Sequence, residues 1–88
     1  METCNIPIQN ALGLHARAAA KFVHTAGRFI AHIRVGRGDR EVDGKSIMGL
    51  LLLAAARGSA IRITADGPDE RDAIDALCAL VRRGFDES

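Results

Sequence analysis

The stretch Gly13-Leu14-His15-Ala16-Arg17 places one histidine and one arginine where the sequence predicts an amphipathic helix to begin, and we expect that helix over residues 16–26. A helix start carries backbone N–H groups without intrahelical partners and a partial positive charge, and both features bind anions such as phosphate. Neutral imidazole is a competent nucleophile near pH 7. A guanidinium group suits phosphate oxygens. The stretch therefore predicts a histidine that accepts and passes on a phosphoryl group.

The same residues also fit a simpler interpretation. Taken alone, the tripeptide His-x-Arg is weak evidence, since His15 can be a loop residue and Arg17 a solvated charge. The position of the tripeptide after a glycine turn and before a helix favours the functional interpretation, as does the second segment described below, Lys45-Ser46-Ile47-Met48-Gly49-Leu50.

Composition limits the class of protein. A chain of 88 residues with 48% apolar residues predicts one folded domain, over residues 1–88, with a modest core. The net charge of +1 and the absence of Trp and Tyr argue against a protein that binds nucleic acid or a membrane surface.

The termini and cysteines indicate a cytoplasmic protein. The N-terminal residues lack the pattern of a signal peptide, and the longest apolar run, residues 50–56, is too short to span a bilayer. Cys4 and Cys78 belong to no CxxC pattern, so we expect reduced, buried thiols, with a disulfide between them as the less favoured alternative.

Apolar periodicity predicts an α+β fold. Alternation predicts four short strands and 3.6-residue spacing predicts three helices. Pro7 places the first strand at a sheet edge, and Phe85 is expected to fold back as an apolar plug after the last helix. We expect a largely antiparallel four-stranded sheet with all three helices on one face. In the order β-α-β-β-α-β-α, the elements are expected at about residues 4–8, 16–26, 29–35, 40–42, 47–56, 61–64 and 70–83.

Ser46 precedes the second predicted helix. Helix capping alone explains a serine at this position. Phosphorylation is the functional alternative, because a phosphate at a helix start is favourably placed. The three histidines, His15, His24 and His32, show no i, i+4 pairing and no nearby carboxylate, so we expect no metal site. For His24 and His32 we expect surface residues.

Two segments taken together, Gly13-Leu14-His15-Ala16-Arg17-Ala18-Ala19 and Lys45-Ser46-Ile47-Met48-Gly49-Leu50, resemble the HPr family of phosphocarriers of the bacterial phosphoenolpyruvate-dependent phosphotransferase system. Their separation and the element order fit the same family over essentially the whole chain. The ending Arg83-Gly84-Phe85-Asp86-Glu87 and the Gly67-Pro68 turn look most like the nitrogen-related branch.

This resemblance implies an open-faced β-sandwich and a phosphocarrier function. His15 would accept phosphate on Nδ1 from phospho-enzyme I and pass it to a IIA-type protein. Arg17 and the backbone N–H groups of Ala16 and Arg17 would hold the phosphoryl group, and Ser46 would correspond to the site of HPr kinase. The implied partner surface joins the first helix to the second through Ala20, Lys21, His24, Ile47, Met48 and Leu51.

One departure from the family pattern follows Arg17, where Ala18 stands in place of the usual proline. Alanine is an excellent helix former, so the helix is expected to survive with a looser first turn. A regulatory docking module, switched by phosphorylation at His15 or Ser46, is the alternative function. We expect a monomer without a cofactor and no independent enzyme, since paired carboxylates and cofactor motifs are missing.

Overall fold

Four strands and three helices form the fold of the computed structural model, which describes residues 1–87. The expected domain also included Ser88, which lies outside the described residues. In chain order the elements are β1 (Glu2–Pro7), α1 (Ala16–Ala26), β2 (His32–Arg37), β3 (Arg40–Asp43), α2 (Ile47–Leu52), β4 (Ala60–Asp66) and α3 (Glu70–Arg82), followed by a 3₁₀ turn, Gly84–Asp86.

The sheet has the order β1-β4-β2-β3, and every neighbouring pair is antiparallel. β1 is an edge strand, as Pro7 predicted, because a proline has no N–H to give to a second neighbour. The α+β class, the antiparallel sheet and the three helices of the sequence analysis are confirmed.

The core lies between the sheet and the helices. Alternate strand residues such as Ile33 and Ile63 point inward and are fully buried, and they pack with Phe22 of α1 and Leu77 of α3. Aliphatic side chains dominate this core, so burial of apolar surface is its main stabilising term. Within residues 1–87, no helix combines the length and the apolar character that crossing a membrane requires.

α2 is shorter than expected. The sequence analysis extended it to about Ala56, whereas the helix ends at Leu52 and Ala54 has a φ of 51°. The chain leaves the helical path here because the carbonyl of Ala55 accepts the N–H of Leu14 at 2.9 Å, beside the loop that precedes α1. The end of α2 is therefore fixed by a contact with a distant loop.

β2 begins later than its apolar alternation suggested. The expected strand started near Phe29, but the N–H groups of Ile30 and Ala31 donate to the carboxylate of Asp69, at 2.9 and 2.8 Å. These two amides are occupied by a side chain, so the strand starts at His32.

The two cysteines are joined in a disulfide, and the expectation of free thiols is wrong for this structure. Cys4 lies on β1 and Cys78 on α3, and their Cα atoms are 6.8 Å apart although 74 positions separate them in the chain. Packing of α3 against β1 creates this proximity, and spacing in the sequence does not reveal it.

Candidate functional site

The loop before α1 presents His15 at the helix start. Gly13 has a φ of 68°, and a Cβ atom there would lie 2.7 Å from the carbonyl oxygen of Ala55, so only glycine fits this close approach. His15 follows with extended backbone geometry and occupies the N-cap position of α1. The glycine turn that the sequence analysis singled out therefore positions the histidine.

The two ring nitrogens of His15 have different partners. Nδ1 lies 3.3 Å from the backbone N–H of Arg17, and Nε2 lies 2.9 Å from Oε1 of Glu87. A backbone N–H can only donate, so Nδ1 carries the lone pair. An ionised carboxylate can only accept, so Nε2 carries the proton. This pairing selects the tautomer whose nucleophilic nitrogen faces the start of α1.

Glu87 is the functional residue that the sequence analysis missed, and the expectation that no carboxylate lies near the histidines is wrong for His15. The hydrogen bond from His15 is the main cause that holds the pKa of the Glu87 carboxyl below its ordinary value of 4.5; partial burial opposes this shift and a hydrogen bond from Asn10 adds to it. Asn10 is itself buried and donates to the carbonyl of Gly13 as well as to Glu87, at 2.8 and 2.5 Å. One amide thus ties the loop before His15 to the carboxylate behind it.

A tight turn after α3 brings Glu87 to this position. Gly84, Phe85 and Asp86 all adopt left-handed backbone conformations, with φ of 65°, 57° and 62°. Such conformations cost about 1–3 kcal/mol for each residue other than glycine. Full burial of Phe85 offsets this cost, as do the hydrogen bonds from Lys21 Nζ to the Phe85 carbonyl and from Arg83 to Asp86. The expected apolar plug is confirmed, and it places the next residues beside His15.

The start of α1 offers donors for an anion. The amides of Ala16 and Ala18 have no hydrogen-bond acceptor within residues 1–87, and the amide of Arg17 has only the long contact to His15. The side chain of Arg17 is exposed, and no contact between its guanidinium group and His15 is present among the described residues. The geometry leaves that group in solvent, within one helical turn of the imidazole.

Ser46 caps α2. Its hydroxyl oxygen accepts the N–H of Gly49 at 3.0 Å, and the side chain is half-buried. The capping interpretation of the sequence analysis is confirmed. The phosphorylation alternative stays a prediction.

The residues of the expected partner surface lie on α1 and α2, and Ala20 and His24 share one face of α1 at i, i+4 spacing. Ala20 on α1 and the α2 residues Ile47, Met48 and Leu51 are exposed, with Met48 the most exposed at 70%. Lys21 is half-buried and His24 is exposed, and both also line a groove between α1 and α3, so their place on a partner surface stays a prediction. The apolar surface on α2 is therefore accessible.

The remaining histidines lie away from this site. His24 and His32 are exposed, as expected. Among the described residues no group of three or more His, Cys, Asp or Glu side chains has the arrangement of a metal site.

The arrangement is chemically suited to forming a bond from Nδ1 to an electrophilic phosphorus. The lone pair on Nδ1 faces the helix start, and the Nε2 proton is held by a carboxylate. When Nδ1 forms a bond, the ring gains positive charge, which Glu87 stabilises. The oxygens of the transferred group meet unpaired N–H groups and the positive end of the α1 dipole.

The chain matches a described protein family over most of its length. Residues 3–83 match the family described as "PTS HPr component phosphorylation site". A phosphocarrier protein HPr from Cupriavidus necator is 51% identical over 80 residues, which cover 91% of this chain and 90% of the relative. A phosphocarrier protein NPr from Shewanella violacea is 42% identical over 83 residues, which cover 94% and 91% of the two chains.

Solved structures show the same fold. The crystal structure of HPr-C-His from Thermoanaerobacter tengcongensis aligns with a TM-score of 0.96 and 42% identity, and the alignment covers 100% of this chain and 99% of the other. The sequence match, the extent of coverage and the shared fold lead to one conclusion. The chain belongs to the HPr family, the phosphocarriers of the phosphotransferase system.

Proposed function

We propose that Nδ1 of His15 accepts a phosphoryl group from phospho-enzyme I and passes it to a IIA-type protein. The observation that carries this proposal is the pair of contacts on one imidazole: Nδ1 at the open start of α1, and Nε2 at 2.9 Å from Glu87.

The transfer needs little machinery in the carrier itself. The hydrogen bond from the Arg17 N–H to Nδ1 opens, and the Nδ1 lone pair attacks phosphorus. The N–P bond forms, and the bond from phosphorus to the donor breaks with its electron pair leaving on the donor. The Nε2 proton stays in place, held by Glu87. The backbone N–H groups of Ala16 and Arg17 donate hydrogen bonds to the phosphoryl oxygens. The Arg17 guanidinium group moves from solvent and binds the same oxygens. Onward transfer reverses these steps with the IIA-type acceptor, since phosphoryl transfer is mostly positioning and charge stabilisation.

A shared surface for donor and acceptor fits the exposed side chains around α2. The proposed surface comprises Ala20, Lys21 and His24 on α1 and Ile47, Met48 and Leu51 on α2; Lys21 is half-buried and the other five are exposed. Exposed apolar side chains of this kind mark surfaces that bind proteins. Because both partners would use one surface, their binding is mutually exclusive. We further propose that the carrier works in the cytoplasm as a monomer, without nucleic acid, membrane or cofactor.

Regulation at Ser46 is part of the proposal. HPr kinase, in a cell that has one, would phosphorylate the hydroxyl that caps α2. The phosphate would sit beside Ile47 and Met48, where two negative charges change the complementarity of the partner surface.

The test is the intact mass of the protein after incubation with phosphoenolpyruvate and enzyme I from the same organism. We expect one acid-labile phosphoryl group on the wild type and none on His15→Ala, with unchanged circular dichroism in the variant. Adding a IIA-type protein should then discharge the wild type. A phosphorylated His15→Ala variant, or a wild type that an active enzyme I leaves unmodified, would overturn the proposal.

The exposed apolar face of α2 favours a second function, a regulatory docking module. In that case the phosphorylation state of His15 or Ser46 controls affinity for other enzymes. Binding of candidate partners to the unmodified and phosphorylated forms distinguishes the two functions. A docking module changes its affinity without passing on the phosphoryl group, whereas a carrier discharges to its acceptor.

A further inference from the structure

A groove between α1 and α3 lies outside the site around His15. It has a volume of about 360 Å³, which is in the size range of small-molecule sites. Neither His15 nor Arg17 nor Glu87 lines it. The lining residues come from the C-terminal halves of the two helices and the turn after α3: Lys21, His24, Thr25, Arg28, Ala76, Ala79, Leu80, Arg83 and Asp86.

The groove is strongly basic. Lys21, Arg28 and Arg83 contribute three cations, and Asp86 is the one carboxylate among the lining residues. The groove therefore carries two net positive charges, whereas the whole chain carries +1. The carbonyl ends of α1 and α3 offset only part of this charge, since a helix end is equivalent to about half an elementary charge.

These cations are only partly neutralised inside the protein. Arg83 donates through Nε to Asp86 at 2.8 Å, and Lys21 donates to the carbonyl of Phe85 at 2.9 Å. Within residues 1–87 the side chain of Arg28 makes no hydrogen bond or ion pair. The rim of the groove therefore has guanidinium and ammonium N–H groups available to an anion.

Charge and apolar surface alternate along the groove. Lys21 and Arg83 stand at one end, where the turn after α3 begins, and Arg28 follows the C-terminus of α1 at the other. Lys21 lies five positions before Ala26, where α1 ends, which corresponds to about 7.5 Å along the helix, and Arg28 lies two positions beyond that end. Between the two ends, Ala76, Ala79 and the buried Leu80 of α3 form an apolar wall, and His24 and Thr25 of α1 form the opposite, polar wall.

We propose that this groove binds an elongated small molecule with an anionic group at each end and an apolar middle. The anionic ends, carboxylate or phosphate, would meet Arg28 at one end and Lys21 with Arg83 at the other. Guanidinium groups bind such oxygens in pairs. The apolar middle would lie on the alanines and Leu80.

Residue-resolved NMR titration tests this proposal with three probes: octanedioate, butanedioate and octanoate. Each is added to ¹⁵N-labelled protein at constant ionic strength. We expect saturable shifts of amides in residues 21–28 and 76–86, with octanedioate binding more tightly than either other probe. Octanoate lacks the second charge, and butanedioate is too short to reach both ends.

Matched variants make the test specific. Arg28→Gln and Arg83→Gln should each weaken octanedioate binding about fivefold or more, since each removes a charged hydrogen-bond donor. Arg71→Gln removes the same charge from an exposed residue of α3 outside the groove and should leave the affinity unchanged. The variant His15→Ala controls for anion binding at the start of α1 and should also leave it unchanged.

Three outcomes would overturn the proposal. Shifts confined to residues around His15 would place the anion at the start of α1. Equal affinity for octanoate and octanedioate would show that the second cationic end is not used. Equal weakening by Arg71→Gln and Arg28→Gln would indicate a non-specific charge effect.

Discussion

His15 and Glu87 come from positions 72 residues apart, and their contact defines the chemistry of the site. The carboxylate fixes the Nε2 proton and leaves the Nδ1 lone pair at the start of α1. The N–H of Arg17, which donates to Nδ1 at 3.3 Å, favours the same tautomer. The assignment of Nδ1 as the nucleophile therefore depends on one contact within the helix start and one contact between residues 72 positions apart.

Glu87→Gln is the change that tests this contact. Glutamine keeps an oxygen that accepts the hydrogen bond from Nε2–H. It lacks the negative charge that stabilises the imidazole ring when the ring gains positive charge. We predict that single-turnover phosphorylation of His15 becomes about fivefold slower. This factor corresponds to the difference of about 1 kcal/mol between a charged and a neutral hydrogen bond. Asp75→Asn, which neutralises an exposed carboxylate on α3, is the matched control. Equal phosphorylation rates for Glu87→Gln and the wild type would show that the charge of Glu87 does not contribute to the reaction.

Ala18→Pro tests the departure from the usual family pattern. The amide of Ala18 has no acceptor within residues 1–87, so proline at this first-turn position loses no hydrogen bond. Proline also restricts the unfolded chain. We therefore predict a gain of about 0.4–1 kcal/mol in the free energy of unfolding, measured by urea denaturation. A destabilised variant would show that the Ala18 amide has a role that its contacts do not reveal.

Local signals explain which site residues the sequence revealed. His15 follows a glycine turn and Ser46 precedes an apolar helix, so the place of each at a helix start could be predicted from neighbours in the chain. Glu87 could not, because its position depends on three consecutive left-handed residues and only Gly84 among them signals that conformation. The hydrogen bond from Lys21 Nζ to the carbonyl of Phe85 could not be predicted either, because it joins α1 to the turn after α3.

Among the helices and strands, the boundaries that the sequence misjudged are those set by distant contacts. α2 ends early because the carbonyl of Ala55 accepts a hydrogen bond from the N–H of Leu14, in the loop before α1. β2 starts late because the carboxylate of Asp69, at the start of α3, accepts hydrogen bonds from the N–H groups of Ile30 and Ala31. The existence and order of all seven elements followed from apolar periodicity, which records burial directly.

The link between Asp69 and the start of β2 predicts a pH dependence. The hydrogen bond from Ile30 is the main cause that holds the pKa of Asp69 below its ordinary value of 3.8; the bond from Ala31 adds to it and partial burial opposes it. A carboxyl with a lowered pKa in the folded state contributes stability above its ordinary pKa, and that stability is lost as the pH falls through the lowered value.

Asp69→Asn should therefore lower the Tm at pH 7, and its difference from the wild type should shrink as the pH falls below about 4. Differential scanning calorimetry between pH 7 and pH 2.5 measures this, with Asp75→Asn as the control for loss of an exposed charge. A Tm difference that stays constant across this range would contradict the role given to the Asp69 carboxylate.

For the protein as one unit, the disulfide is a covalent constraint between distant parts of the chain. Cys4 and Cys78 close a loop of 74 positions and hold the edge strand β1 to α3, whose C-terminal turn carries Glu87. The sequence favoured free thiols because cysteine spacing carries no information about which elements pack together. In a reducing cytoplasm, this disulfide would persist only where the fold keeps reductants from reaching it.

Reduction of this bond should destabilise the fold. A crosslink that closes a long loop restricts the unfolded chain, so we predict that reductant lowers the free energy of unfolding of the wild type by about 2–4 kcal/mol. Thermal unfolding with and without dithiothreitol measures the change. Cys4→Ser, which cannot form the bond, should be indifferent to reductant. A wild type whose Tm is the same in both conditions would show that the thiols are free in solution.

The most direct measurement identifies the nitrogen that carries the phosphate. Protein with ¹⁵N-labelled histidine is phosphorylated by phosphoenolpyruvate and enzyme I, and long-range ¹H–¹⁵N correlation spectra are recorded before and after transfer. We predict that His15 starts with its proton on Nε2 and that phosphorylation then changes the shift of Nδ1 with a phosphorus coupling to that nitrogen. A phosphate on Nε2, or on His24 or His32, would contradict the account.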